Sequence, residues 1–439
     1  MTPTPINSIR VTYTSLLQLA IPAMLSALLN NTYRIIDQYS VKWLGTDAQA
    51  AIGSSTFILI AAYALFYIIS GGVGPLVARA TGAKEPEKVR KLVGQAIYAA
   101  GLMGCIFCCT MIVLNTTLSQ VVGLQDEAAR EMETYLLWIG ITGLFFSFGP
   151  LIDAIYIATG NTKFPMLLQL VSTALNALLN WLFIYQMEMG IAGAAVASGA
   201  SRGVTSIVGL WFLYRDFSPI HKKDEQLKRI IKIGAPVSMG IASYAFVYWG
   251  ILKTSLSPLG PHVNAGLGIG FSVLEGFSWP LYSGIMVAVS SLIGRQLGAK
   301  DEKNTTKTIQ LALSVSIGLG ILITILFLLF SKSICLLFTN DPQTLEQAVL
   351  YGHILAWSQV FVALEALFEG VLGGSGDTKT LFWISMPLNV IRIPLSYYLA
   401  IHLGLGAVGI WWAINISTYL KALTKGYFVW GGKWKSVIS

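Results

Sequence analysis

Arg79-Ala80-Thr81-Gly82-Ala83-Lys84-Glu85 returns 216 residues later as Arg295-Gln296-Leu297-Gly298-Ala299-Lys300-Asp301. The same offset carries Tyr135 onto Tyr351 and Asp153 onto Glu369. It carries Gly160-Asn161-Thr162-Lys163 onto Gly376-Asp377-Thr378-Lys379, Gly190 onto Gly406 and Gly193 onto Gly409. No gap is needed between Arg79 and Gly193. The chain is one design written twice.

Composition says where that design resides. Of 439 residues, 54% are hydrophobic and 11% charged, whereas a soluble domain carries about 25% charged residues. Mean hydropathy is +0.66. Apolar runs lie at about 15–41, 51–78, 92–116, 131–158, 164–187, 191–214, 230–256, 264–293, 308–331, 347–373, 380–402 and 405–428. Each approaches or exceeds the roughly 20 residues that cross a bilayer as helix. The fold class is therefore all-α integral membrane, with twelve spans in two six-helix lobes. Six is even, so both halves enter from the same side. The repeat is parallel, about an axis along the membrane normal, a plan found in membrane transporters.

The formal charge of +8 is a topology signal, not a nucleic-acid footprint. Arg79, Lys84, Lys88, Arg90 and Lys91 follow span 2, and Lys163 follows span 4. Arg215, Lys222, Lys223, Lys228, Arg229 and Lys232 surround the junction of the halves. Arg295, Lys300, Lys303 and Lys307 follow span 8, Lys379 follows span 10, and Lys433 and Lys435 end the chain. The opposite loops hold little beyond Lys42, Arg130 and Lys332. Basic loops stay cytoplasmic, so both termini are expected inside. Residues 1–14 read as a short polar leader. The charged stretch 215–229, with Pro219, reads as a cytoplasmic linker between an N-lobe (1–214) and a C-lobe (230–439).

Ionisable groups within hydrocarbon are functional candidates because burying them is costly, by about 2.5–3.5 kcal/mol on insertion scales. Span 1 is the most loaded. Asn30, Arg34, Asp37 and Gln38 share one helical face, with Tyr33 beside them. Span 5 answers with Gln169, Thr173, Asn176 and Asn180, and span 6 with Ser198, Arg202 and Thr205. These faces predict a polar chamber with Asp37 on its wall as a protonatable carboxylate. The alternative is that Arg34 and Asp37 neutralise each other as an internal ion pair. The C-lobe candidates are Lys253, Glu275, Glu365, Glu369 and Arg392. The acids among them, like Asp153, read first as partners in structural ion pairs and second as functional groups. Cys105, Cys108, Cys109 and Cys335 read as packing residues, and the scattered His221, His262, His353 and His402 offer no metal-site spacing.

Several short segments resemble the multidrug and toxic compound extrusion (MATE) family, in its order and over nearly the whole chain. They are Leu19-Ala20-Ile21-Pro22, Asp37-Gln-Tyr-Ser-Val-Lys-Trp-Leu-Gly45, Gly82-Ala-Lys, Gly160-Asn-Thr-Lys and Gly190-Ile-Ala-Gly193-Ala-Ala. The second half adds Gly298-Ala-Lys-Asp, Gly374-Ser-Gly-Asp-Thr-Lys379, Arg392-Ile-Pro-Leu and Gly404-Leu-Gly-Ala-Val-Gly409. The resemblance implies a V-shaped pair of lobes and secondary-active export of amphipathic, often cationic compounds, driven by H⁺ or Na⁺. In the DinF-like branch the span 1 acid eight residues before the glycine of Leu-Gly is the proposed protonation site, and Asp37 matches it. Arg34 departs from that pattern. Some members carry Asn-x-x-x-Asp on span 5, where this chain reads Asn176-x-x-x-Asn180. Sodium-using members place a Glu about eight residues after the span 7 proline, where this chain has Tyr244. The absence of that span 7 carboxylate favours protons.

The expectation is thus a proton-coupled multidrug efflux antiporter of the cell inner membrane. Its cargo would be drugs or toxic organic cations. It would be a monomer in the lipid bilayer, with no cofactor, no metal, no enzymatic activity and no nucleic-acid partner. A Na⁺-coupled drug antiporter is the nearer alternative. A lipid-linked saccharide flippase is the other, since Arg34, Arg202, Lys253 and Arg392 could meet a pyrophosphate.

Overall fold

The computed structural model of the protein describes residues 11–122, 126–220 and 225–437. Most of the polar leader, and His221, Lys222 and Lys223 of the linker, lie outside the described residues. Each apolar run of the sequence becomes a helical stretch. Spans 1–6 are Tyr13–Leu44, Asp47–Gly82, Pro86–Val121, Asp126–Ala158, Lys163–Gln186 and Gly190–Phe217. Spans 7–9 are Gln226–Leu256, His262–Gly298 and Glu302–Cys335. Span 10 is the pair Pro342–Ala356 and Gln359–Ser375, bent by 60° at its break. Span 11 is Thr378–His402 and span 12 is Gly406–Gly431. Asn415, Lys421 and Lys425 lie within span 12.

Lipid-facing positions are apolar, as hydrocarbon contact requires. Val113, Leu329 and Leu337 are among the most exposed large side chains. Inside, each lobe exchanges its first helix with the other. Leu16 and Ala20 of span 1 pack with Ile285, Val289, Leu367 and Trp434 of the second half. Ile230 and Ile233 of span 7 pack with Val73, Leu92 and Ile155 of the first. The two lobes are therefore tied along spans 1, 2, 7 and 8, which leaves spans 5 and 6 to wall the N-lobe interior against span 1.

The repeat extends to irregularities of the helices. Span 5 ends in a π-helical turn at Trp181–Gln186, and span 11 in one at Tyr398–His402. Gly193 sits against the carbonyl carbon of Phe183, and its repeat mate Gly409 against that of Leu399. A side chain at either glycine would strike backbone, so this repeat pair is a close-packing point, whereas Gly190 and Gly406 have open space beside them and a φ of +58° and +57°. Further π-helical turns interrupt span 7 at Leu252–Leu256 and span 8 at Gly270–Glu275. Such single-turn bulges concentrate at functional sites, and these carry Lys253 and Glu275.

Candidate functional site: the Asp37 chamber and the C-lobe ion network

Span 5 aims two amides at span 1. Asn176 and Asn180, one turn apart and fully buried, each donate through Nδ2 to Asp37 Oδ1 at 2.9 Å. Ser198 of span 6 donates through Oγ to Asp37 Oδ2 at 3.1 Å. The amides also bond one another, Asn180 Nδ2 donating to Asn176 Oδ1 at 3.3 Å. Asp37 is thus gripped by neutral donors from two neighbouring spans. Hydrogen bonds to a charged group contribute about 1.5–3 kcal/mol each, so the clasp fastens the C-terminal part of span 1 to spans 5 and 6.

A second layer lies behind it. The Tyr33 hydroxyl is 2.9 Å from Ser201 Oγ and donates to the Ser198 carbonyl at 3.4 Å. The Arg202 guanidinium stacks over the Tyr33 ring, 4.3 Å from its centre, and lies 5.9 Å from that of Phe146. Arg202 is therefore a half-buried cation lying on aromatic faces. Thr173 ties span 5 to span 1 lower down, donating to the Leu29 carbonyl at 3.3 Å and to that of Gln169 at 2.9 Å. Gln169 donates in turn to Thr173 Oγ1 at 3.3 Å.

The chamber thus gathers Tyr33, Asp37, Gln169, Thr173, Asn176, Asn180 and Arg202 of the expected set. Asn30, Arg34 and Gln38 are exposed and stand outside the clasp. The internal Arg34–Asp37 pair does not form: among the described residues no ion pair joins them. Three donors from spans 5 and 6 bond the carboxylate instead.

In the C-lobe, Lys421 Nζ is 2.8 Å from Glu365 Oε1, and Lys425 Nζ bridges Glu365 Oε1 at 2.8 Å and Glu369 Oε1 at 2.6 Å. Glu365 and Glu369 are therefore ion-paired within the helix bundle. Glu275, on the π-helical turn of span 8, accepts a hydrogen bond from the Tyr351 hydroxyl. Arg392 donates to Ser417 Oγ at 2.8 Å and Thr418 Oγ1 at 3.2 Å. Lys253 is exposed, its ammonium 5.2 Å from the Trp249 ring centre. Tyr244 stacks beside Tyr248 at 4.7 Å. Lys421 and Lys425 went unnoticed in the sequence reading. Their one-turn spacing, matching that of Glu365 and Glu369, was the signal that could have found them. Among the described residues no three His, Cys, Asp or Glu side chains gather as a metal site would need.

Comparison with known proteins agrees with this architecture. A protein of Thermotoga maritima named "Probable multidrug resistance protein NorM" is 25% identical over 432 residues, covering 96% of this chain and 92% of its own length. The human "Multidrug and toxin extrusion protein 1" is 24% identical over 443 residues, covering 98% of this chain and 76% of its own. The bent form of the Vibrio cholerae MATE transporter VcmN superposes with a TM-score of 0.88 at 20% identity, over 97% of each chain. The MatE family model matches residues 22–182 and again 236–398, once per half. That double match spans most of the sequence, and by it the chain belongs to the MatE family of multidrug and toxic compound extrusion transporters.

Proposed function

We propose that this transporter is a drug/H⁺ antiporter of the cell inner membrane, with both termini cytoplasmic and Asp37 as the coupling carboxylate. The observation that carries the reading is the clasp on Asp37: an interior acid whose hydrogen-bond partners are all neutral. A hydroxyl both donates and accepts. A proton arriving at Asp37 Oδ2 can therefore be received if Ser198 turns from donor to acceptor. The new O–H then points at Ser198 Oγ, and Asn176 and Asn180 lose the charge that strengthened their bonds. Span 1 loosens from spans 5 and 6, the chamber contracts, and cargo leaves on the outer side. Loss of the proton to the cytoplasm restores the clasp.

The energy scale suffices. About 1.4 kcal/mol per pH unit, roughly tenfold in substrate gradient, is available when one proton exchanges for one monovalent cation, and a neutral cargo gains a further ~2.3 kcal/mol per 100 mV. Amphipathic, mainly cationic compounds are the cargo class the family suggests. Sodium coupling would require the Asn176 and Asn180 amides to turn their oxygens to an ion beside Asp37, where they now donate Nδ2, and the Tyr244 position adds no carboxylate. The flippase reading loses two of its four cations, because Arg202 lies on Tyr33 and Arg392 is held by Ser417 and Thr418.

Asp37→Asn keeps shape and volume but cannot cycle a proton. The variant is expected to express and fold like the parent, with ethidium efflux from cells close to background. Efflux equal to the parent's would remove Asp37 from the mechanism.

A further inference from the structure

The N-lobe keeps an acid whose partners exist only in the C-lobe. There, Glu369 and Glu365 are answered by Lys425 and Lys421. Spans 6 and 12 begin at the repeat mates Gly190 and Gly406 and run as unbroken helices, so the 216-residue offset extends along them. It sets Gly149 opposite Glu365, Asp153 opposite Glu369, Thr205 opposite Lys421 and Gly209 opposite Lys425. Of the four N-lobe positions Asp153 alone is ionisable, and both lysines are gone. Its side chain is half-buried, and among the described residues it has no hydrogen bond or ion pair.

Its place in the fold is specific. One turn further along span 4, the Ile157 carbonyl accepts from Ser291 Oγ of span 8 at 2.5 Å. Gly160 then lies against the Arg295 guanidinium. Ala154 faces Gly74 of span 2. Asp153 thus stands about one turn from the seal that joins the lobes at their basic end. Arg202 of span 6 is the cation whose field reaches both Asp153 and Asp37, and Tyr67 of span 2 also couples to Asp153. Spans 3, 5 and 8, which also pack on this half of span 4, add no titratable group that acts on it. Span 1 runs toward the outer end and span 4 toward the basic end. Asp37, eight residues before Gly45, is therefore the outer acid, and Asp153, five before Ala158, the inner one. Arg202 lies near the middle of Gly190–Phe217, between them.

An architectural acid in a membrane protein has a partner, as Glu365 and Glu369 have. One without a partner, beside a seal that must open, has a different use. We infer that Asp153 is a second proton-carrying residue, placed to release its proton on the cytoplasmic side when the seal between spans 4 and 8 parts. This rests on the antiport reading above. With the cleft open outward, a proton from water forms an O–H bond on the carboxylate. When the seal opens, that bond breaks, its electron pair stays on the oxygen, and the proton passes to cytoplasmic water.

Infrared difference spectra of the full-length protein in detergent, labelled with ¹³C-aspartate, test this across the pH range over which transport titrates. Two aspartic acid C=O bands are expected in the parent. Asp37→Asn should remove one and Asp153→Asn the other. Asp153→Glu should move the second band out of the labelled set while retaining pH-gradient-driven ethidium efflux from proteoliposomes. If Asp153→Asn leaves the parent's bands unchanged while a pH gradient still drives efflux, this inference falls and the antiport reading stands. Efflux driven by sodium alone would overturn the proton-coupled reading and this inference with it.

Discussion

Gly82 of span 2 lies directly against the backbone carbonyl of Arg295 in span 8: a Cβ at Gly82 would come 1.9 Å from that oxygen. The contact is reciprocal, since a Cβ on its repeat mate Gly298 would come 2.1 Å from the carbonyl of Arg79. The Arg79 guanidinium in turn donates through Nη2 to the Lys435 carbonyl at 2.9 Å, so the chain's C-terminal turn joins the same seal. The sequence motif that reveals the repeat is thus the contact that closes the lobes at their basic end.

Gly82→Ala should weaken this closed seal, because backbone cannot yield to a methyl group as a flexible side chain can. Overpacking costs about 1–3 kcal/mol, enough to shift a two-state equilibrium by roughly 5- to 150-fold. Spin labels at the basic ends of spans 2 and 8 should report a larger share of long distances in the variant. An unchanged distance distribution would show that this contact does not set the balance of states.

Lys425→Met should be among the most destabilising single changes in the C-lobe. Lys425 is completely buried and touches both Glu365 and Glu369. Removing it leaves Glu369 without its cation, and breaking such a pair costs about 3–5 kcal/mol. Thermal unfolding in detergent should show a large fall in Tm, and adding Glu369→Gln should recover much of it. Equal Tm values for parent and Lys425→Met would mean the network is hydrated and energetically slack.

Tyr33 separates two contributions to the N-lobe. Tyr33→Phe keeps the ring beneath Arg202 and loses the hydroxyl's bonds, at a cost of about 1 kcal/mol. Tyr33→Ala removes the platform as well and should cost about 3–5 kcal/mol. The difference between the two, read from unfolding in detergent, measures how far the Arg202 stack depends on that ring. Equal losses in both variants would place the whole contribution in the hydroxyl.

The fold was legible because lipid makes hydropathy decisive: all twelve apolar runs coincide with helical stretches. The ends were less so. Span 3 continues beyond the apolar run's end near residue 116, where Ser119 donates to the Thr116 carbonyl and to Glu133 of span 4, both at 2.9 Å. In the site, helical spacing correctly paired Asn176 with Asn180 and turned both toward span 1. It could not choose between Arg34 and the amides as partners of Asp37, because that depends on how span 1 rotates against spans 5 and 6. Lys421 and Lys425 escaped because cations near the end of a span read as interface residues. Only the three-dimensional meeting of spans 10 and 12 shows that they answer Glu365 and Glu369. The π-helical turns under Lys253 and Glu275 leave no mark in hydropathy at all.

The coupling ion is the most direct test of the account. Purified protein in proteoliposomes would be given either a pH gradient without sodium or a sodium gradient at equal pH on both sides, with ethidium transport as the readout. The clasp on Asp37, built from amide and hydroxyl donors rather than a cage of oxygen ligands, predicts transport under the pH gradient and none under the sodium gradient. Transport under the sodium gradient alone would contradict it.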